Sequence, residues 1–231
     1  MFRRESESSV VGYQEISRRE SERSFACRPC CVLTRVSDRK ARTCCLFKSG
    51  LKNQAIAAQR LNDYKYLCLM KILLLSDTHS HIDDFIIKYV NQADEVWHAG
   101  DIGDLKVTDQ IATLKKLRGV WGNIDDDKAR MQFPEHNRFM CEGMDVWITH
   151  IGGYPGRYNQ RVRPDIYNNP PDLFICGHSH ILKVVNDKKI NCLHMNPGAI
   201  GMHGFHQKRT MLRFEINAGK ISNLEVVEKD R

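Results

Sequence analysis

Seven residues of types that bind divalent cations recur along the later part of the chain: Asp77, His79, Asp101, Asn123, His150, His178 and His180. Carboxylate, amide and imidazole donors in this mixture suit several first-row metal ions, and seven can hold two cations if one carboxylate is shared. A cation pair can also share a hydroxide and clamp both oxygens of an in-line phosphoryl displacement. Each fragment has a plainer reading on its own. Asp77-Thr78-His79 could be a capping Asp and a surface His, and Gly100-Asp101 and Gly122-Asn123 are common turn dipeptides. Gly177-His178-Ser179-His180 is the most metal-like piece, with two imidazoles two residues apart beside a Gly.

The elements between these residues explain why they could meet. Lys71–Ser76 is a continuous apolar run ending just before Asp77, which reads as a buried strand. Asp83 and Asp84 then open a helix through Phe85, Ile86, Tyr89 and Val90. Glu95–Ala99 is a second strand, Val107, Ile111 and Leu114 mark a second helix, and Gly119–Trp121 is a third strand ending at Gly122-Asn123. This alternation predicts a parallel sheet. Val146–Thr149 ends at His150, and Pro171–Cys176 ends at Gly177-His178. Two hairpins close the chain, one turning through Asn186-Asp187 and one through Ala218-Gly219. Every candidate donor fragment therefore follows a strand, where open α/β sheets place their sites. The pattern predicts a mixed α/β domain with two sheets.

The order Asp77-Thr-His79, Gly100-Asp101, Gly122-Asn123, Thr149-His150, Gly177-His178-Ser-His180 resembles the signature of the calcineurin-like metallophosphoesterases. The short spacing and the later Asn196-Pro197-Gly198 are similar to the small bacterial and archaeal phosphodiesterase branch, which shares its fold with the retromer subunit. The resemblance covers about residues 70–228. It implies a four-layer αββα sandwich with two mixed β-sheets. It implies one metal on Asp77, His79, Asp101 and His180, and another on Asp101, Asn123, His150 and His178, with Asp101 bridging. It also implies attack on phosphorus by a metal-bridging hydroxide, Asn123 touching the phosphate, and catalytic roles for Asn123 and Asp101. The expected cofactors are two divalent cations, manganese first, with zinc, nickel or iron as alternatives. One departure stands out. Many relatives carry His directly after Gly-Asn as the leaving-group acid, whereas here that position is Ile124. Asp125 then has no His to orient and is expected to support the ligands or the fold.

Other residues have competing readings. His79-Ser-His81-Ile-Asp83-Asp84 nearly matches the metal-binding run of metallo-β-lactamase-type hydrolases, but its last position is Asp84 and not His, and that reading leaves Asp77, Asn123 and the later His pair unused. His81 is expected at the rim and His98 in the core. Ser179 is no nucleophile elbow, because Ile181 stands where Gly is needed. Arg157, Tyr158, His203, His206 and Arg209 are expected in loops near the site, where each has a solvated reading beside a phosphate-binding one. Cys141, Cys176 and Cys192 fall in predicted strands as buried free thiols.

Composition bounds the rest. The chain has 231 residues and a net charge of +7, all of it within residues 1–69, which hold 14 Lys+Arg and 7 Asp+Glu; the remainder holds 21 of each. No specific nucleic-acid binding is expected of a domain so balanced. No apolar stretch reaches the roughly 18–20 residues of a membrane span, so no membrane association is expected. Residues 1–69 are expected to be a disordered leader or an over-extended reading frame, with a short helix over 51–62 and an irregular Cys27-x-x-Cys30, Cys44-Cys45 set as a weak zinc alternative. Residues 70–231 are expected to form the metallophosphoesterase domain, a cytoplasmic enzyme acting on a small phosphoester, a diester before a monoester, with a homo-oligomer left open. The rival reading is a catalytically weak binding scaffold of the same fold.

Overall fold

The computed structural model describes residues 69–231. The expectations for the leader, its helix and its cysteines lie outside the described residues.

Residues 70–119 follow the predicted alternation: β1 (Met70–Leu75), α1 (Asp84–Gln92), β2 (Glu95–His98), α2 (Lys106–Leu114), β3 (Lys116–Gly119). Strand β1 shows how the sequence sets two cores at once. Ile72 and Leu74 point into one apolar cluster and Leu73 and Leu75 into another, as a two-residue period requires. All four are at most 1% exposed, and each such side chain contributes about 1.5–3 kcal/mol by leaving water. Asp83 caps α1, its carboxylate accepting from Ile86 N–H at 3.0 Å, and Ile86 and Val90 turn one face inward. In α2 Val107 and Ile111 do the same, while the predicted Leu114 is 42% exposed.

The next elements are α3 (Asp127–Gln132), β4 (His136–Cys141), β5 (Met144–Thr149), β6 (Gly153–Tyr154), β7 (Arg157–Tyr158), α4 (Arg163–Asn168), β8 (Leu173–Ile175), β9 (Leu182–Asp187), β10 (Cys192–Pro197), β11 (Lys208–Asn217) and β12 (Lys220–Asp230). One mixed sheet has the order β12-β11-β1-β2-β3 and the other β4-β5-β8-β10-β9. β1, β2 and β3 run parallel, as do β5, β8 and β10. Between the sheets lie Ile72, Trp97 and Phe214 from one side and Val146, Ile148 and Ile175 from the other. α1 and α2 cover the outer face of the first sheet. Tyr158, Val162 and Ile166 cover the second, against Trp147 and Phe174. The result is the expected αββα sandwich.

Three boundaries differ from the sequence reading. β3 spans Lys116–Gly119 and not Gly119–Trp121, because it pairs with β2 from Lys116 opposite Glu95. Glu95 is 2% exposed and holds ion pairs with both Lys116 and Arg118, so charged residues sit comfortably on this edge strand. β4 was not anticipated, because His136, Asn137 and Arg138 mask its alternation along the edge of the second sheet. The β9–β10 turn falls after Asp187, whose carboxylate accepts from Tyr158 Oη–H at 2.9 Å and Lys189 N–H at 3.0 Å and so holds that residue in the strand. The final turn, at Ala218-Gly219, is as expected, both residues having positive φ.

Candidate metal centre

The predicted donors converge where strands of both sheets end. Asp77 follows β1, Asp101 follows β2 and Asn123 follows β3; His150 follows β5, and His178 and His180 follow β8. They fall into two groups, Asp77 with His79 and His180, and Asp101 with His150 and His178, each with one donor atom per residue within 4.8 Å of the others. His180 Nε2 is 3.2 Å from Asp77 Oδ1, and His79 Nε2 is 3.4 Å from His180 Nε2. In the second group His150 Nε2 lies 3.2 Å from Asp101 Oδ1 and 3.1 Å from Asn123 Oδ1. Asp101 faces both groups, because its Oδ2 is 3.8 Å from His79 Nε2. The structure thus brings all seven predicted residues together.

Donor orientation fits cation binding. Asp77 is fully buried, and its Oδ2 accepts from Ser76 Oγ–H at 2.6 Å and His178 N–H at 3.2 Å. Its Oδ1 has no hydrogen-bond donor, and a buried carboxylate oxygen left so is normally satisfied by a cation or water. His150 Nδ1–H donates to Ala99 C=O at 2.8 Å, which turns Nε2 toward the group. Electrostatics follow the packing. Burial pushes His150 down, but its hydrogen bond with Asp101 and the charge of Asp77 outweigh this and raise it. The Asp77 carboxylate, 3.2 Å away, likewise raises His180, while burial lowers His79 and His178. Burial pushes Asp101 up, but the bonds from His150 and from Ile124 N–H hold it below the usual carboxylate range.

The backbone is bent to present these donors. Asp77, His79, Asp101, His178 and His180 all have φ between 45° and 68°, the left-handed region that L-residues avoid. Hydrogen bonds from Asp77 N–H to Gly100 C=O and from Gly177 N–H to His150 C=O tie the loops to one another.

Residues around the centre divide into supports and neighbours. Asp125 is buried and accepts from Gly122 N–H at 2.7 Å and Gly103 N–H at 2.8 Å, so it fastens two ligand loops together, as expected. His98 is a core residue. Gly100 N–H donates to its Nδ1, its Nε2–H donates to Thr78 Oγ1, and burial drops it to about 4. Arg209 departs from its expected loop position. It lies in β11, 3% exposed, donating to Asp83 at 2.9 Å and to Ile200 C=O at 2.7 Å, so it is a structural cation and not a loop residue. His81 joins the same network, 3.4 Å from Asp83, and Tyr158 is a buried partner of Asp187. Arg157 is exposed on β7. His203 does reach the centre, its ring 4.7 Å from that of His79, while His206 packs 5.4 Å from His180. Sequence reasoning missed Ser76, whose place directly before Asp77 was the available signal. Cys141, Cys176 and Cys192 are buried free thiols.

A two-sheet sandwich with two donor groups sharing a carboxylate at its strand ends defines a class of metal-dependent hydrolases. The calcineurin-like phosphoesterase superfamily domain matches residues 70–219, and the chain belongs to that family. A protein of Methanothermobacter thermautotrophicus named Probable metallophosphoesterase is 26% identical over 137 residues, covering 56% of this chain and 77% of its own. Among solved structures, a single mutant of Vps29 from Entamoeba histolytica superposes with a TM-score of 0.56 at 17% identity, covering 70% of this chain and 99% of that one. A protein described as a novel archaeal phosphodiesterase gives 0.54 at 21% identity, covering 68% and 100%. At such identities the two structures speak for the fold. Among the described residues no helix is long and apolar enough to cross a membrane.

Proposed function

We propose that the protein is a dinuclear metal-dependent phosphodiesterase acting on a small ester in the cytoplasm. The observation that supports this most is Asp101, whose two carboxylate oxygens face separate donor groups. Asp77, His79, Asp101 and His180 would hold one cation, and Asp101, Asn123, His150 and His178 the other. Manganese is the first choice, and mixed N/O donors also admit zinc, nickel or iron. When bound, the cations supply activation of water and neutralisation of phosphoryl charge.

The chain's own residues do the positioning. Ser76 and His178 N–H fix the Asp77 carboxylate so that Oδ1 points at the site. Ala99 C=O fixes the His150 tautomer. With Asn123 Oδ1 turned to His150, its amide NH₂ is the side left to donate to a phosphoryl oxygen. A scaffold without catalysis would be free to lose donors, and all seven positions carry donors here.

The test is direct. Protein stripped with a chelator should not hydrolyse bis(p-nitrophenyl) phosphate, should do so after manganese is restored, and should prefer it to p-nitrophenyl phosphate. Undiminished activity in the chelated sample would exclude the two-cation mechanism.

A further inference from the structure

Beside the Asn123–His150 half of the centre lies a cleft of about 200 Å³ that these two residues and Gly122 help to line. Apart from Gly122, Asn123 and His150, its lining residues take no part in the two donor groups. It opens where the two sheets meet at their edges, since Trp121 follows β3 of one sheet and His136 begins β4 of the other. These two supply aromatic rings. Arg130 covers Trp121, 4.6 Å from its ring, and His136 packs edge-on to Trp147 at 5.8 Å, so both rings are held in place.

The polar lining is mixed in hydrogen bonding and balanced in charge. Arg161 Nη1 lies 3.2 Å from Glu135 Oε1, so the one cation of the cleft is neutralised by its one carboxylate. A second phosphate or a carboxylate would find no uncompensated partner there. Asn159 Oδ1 accepts from Arg161 N–H at 3.0 Å, which holds the amide carbonyl and leaves its NH₂ side to donate. Two rings, a donor amide and an ion pair offering both donors and an acceptor suit a neutral, flat group with hydrogen-bonding edges. The 21 Lys+Arg and 21 Asp+Glu of residues 70–231 argue against a long polyanion running past the cleft.

We propose that this cleft binds the retained arm of the substrate diester, and that this arm carries a neutral planar ring with donors and acceptors, a nucleoside being the simplest form. The inference rests on the phosphodiesterase reading above and adds a substrate class to it. Aromatic–base stacking and one or two amide contacts are enough to shift specificity about tenfold or more.

Two esters with the same leaving group isolate the cleft: thymidine 5′-(p-nitrophenyl phosphate) and methyl p-nitrophenyl phosphate. With manganese-loaded full-length protein, kcat/KM should be about tenfold higher for the thymidine ester. In Trp121→Ala and in His136→Ala this ratio should fall toward one; the ratio cancels any loss common to both esters. His136 is exposed, so the second variant guards against a folding defect in the first. Calorimetric binding of thymidine 5′-phosphate against methyl phosphate should show the same ranking without turnover. A ratio near one in the unmodified protein, or one that survives both substitutions, overturns the cleft and leaves the diesterase reading intact. A preserved binding ranking with neither ester hydrolysed supports the cleft and overturns the diesterase reading.

Discussion

Ile124 occupies the position beside Asn123 with its N–H committed to Asp101 Oδ1 at 3.1 Å and its side chain 46% exposed. A hydrocarbon there cannot protonate a departing oxygen, so the rate should depend steeply on leaving-group pKa: activated aryl esters cut well, alkyl esters poorly. Ile124→His should help the poor leaving groups selectively, by less than the ~10²–10⁴-fold of a well-placed acid. A kcat/KM series against leaving-group pKa checks both points. A flat series in the unmodified protein would direct attention to His203, the imidazole packed on His79. Asp101→Asn should lower kcat/KM for every ester alike, by about 10²-fold or more, with metal content falling below two per chain. The seven donors were legible because each follows a strand in sequence. His203 was expected in a loop near the site, but its contact with His79 was not legible, since that depends on how the segment after Pro197 crosses the ends of strands far away in the chain.

The strand ends come close enough to build one centre only where side chains are absent. A Cβ on Gly177 would stand 2.1 Å from Ser76 Oγ and 2.8 Å from Asp77 Oδ2, and one on Gly122 would stand 2.2 Å from Asp101 Oδ1. Gly177→Ala should therefore push apart the loops after β1 and β8. The expected outcome is a loss of about 1–3 kcal/mol in denaturant unfolding, together with weaker metal binding in titrations; unchanged values for both would mean that the loops yield freely. At this scale the alternation from β1 to β3 could be read because buried strands and amphipathic helices carry opposite periods. β3 and β4 could not be placed well. Lys116 and Arg118 find their partner in Glu95 on a neighbouring strand, and His136–Arg138 lie on an edge where half the residues face water.

For the molecule as a whole, β1 pairs with β11 from its first residue, Met70 opposite Ile216. A chain beginning at Met70 should accordingly bind metal and turn over esters like the full chain, which expression and assay of that truncation would check. Acid should act on the fold through buried imidazoles. Burial lowers both His98 and His194 to about 4, below the usual 6.5. Below pH 6.5 the unfolded chain takes up protons that the folded chain refuses, so stability is full above 6.5 and declines as pH falls toward 4. For His98 alone the loss by pH 5 is on the order of 2 kcal/mol. Urea midpoints of chelated protein between pH 8 and 5 should show this slope, and His98→Asn should flatten it. The two-sheet architecture was legible from strand order and resemblance together, whereas the buried supports of this stability depend on contacts between residues about 20 positions apart, such as Thr78 with His98.

The five donors held at positive φ carry a consequence for anyone trying to improve the protein by selection. A left-handed L-residue costs roughly 1–2 kcal/mol, and glycine removes that cost while losing about 0.5–1 kcal/mol through its freer unfolded chain. His178, exposed and at φ 68°, is the cleanest case. His178→Gly should raise the melting temperature of metal-free protein slightly while removing a donor. A heat screen run without metal would thus enrich inactive variants, and the same screen run in manganese would reverse the ranking. Thermostability and function pull against each other at these few peptide units, and the cation in the medium decides which of them selection sees.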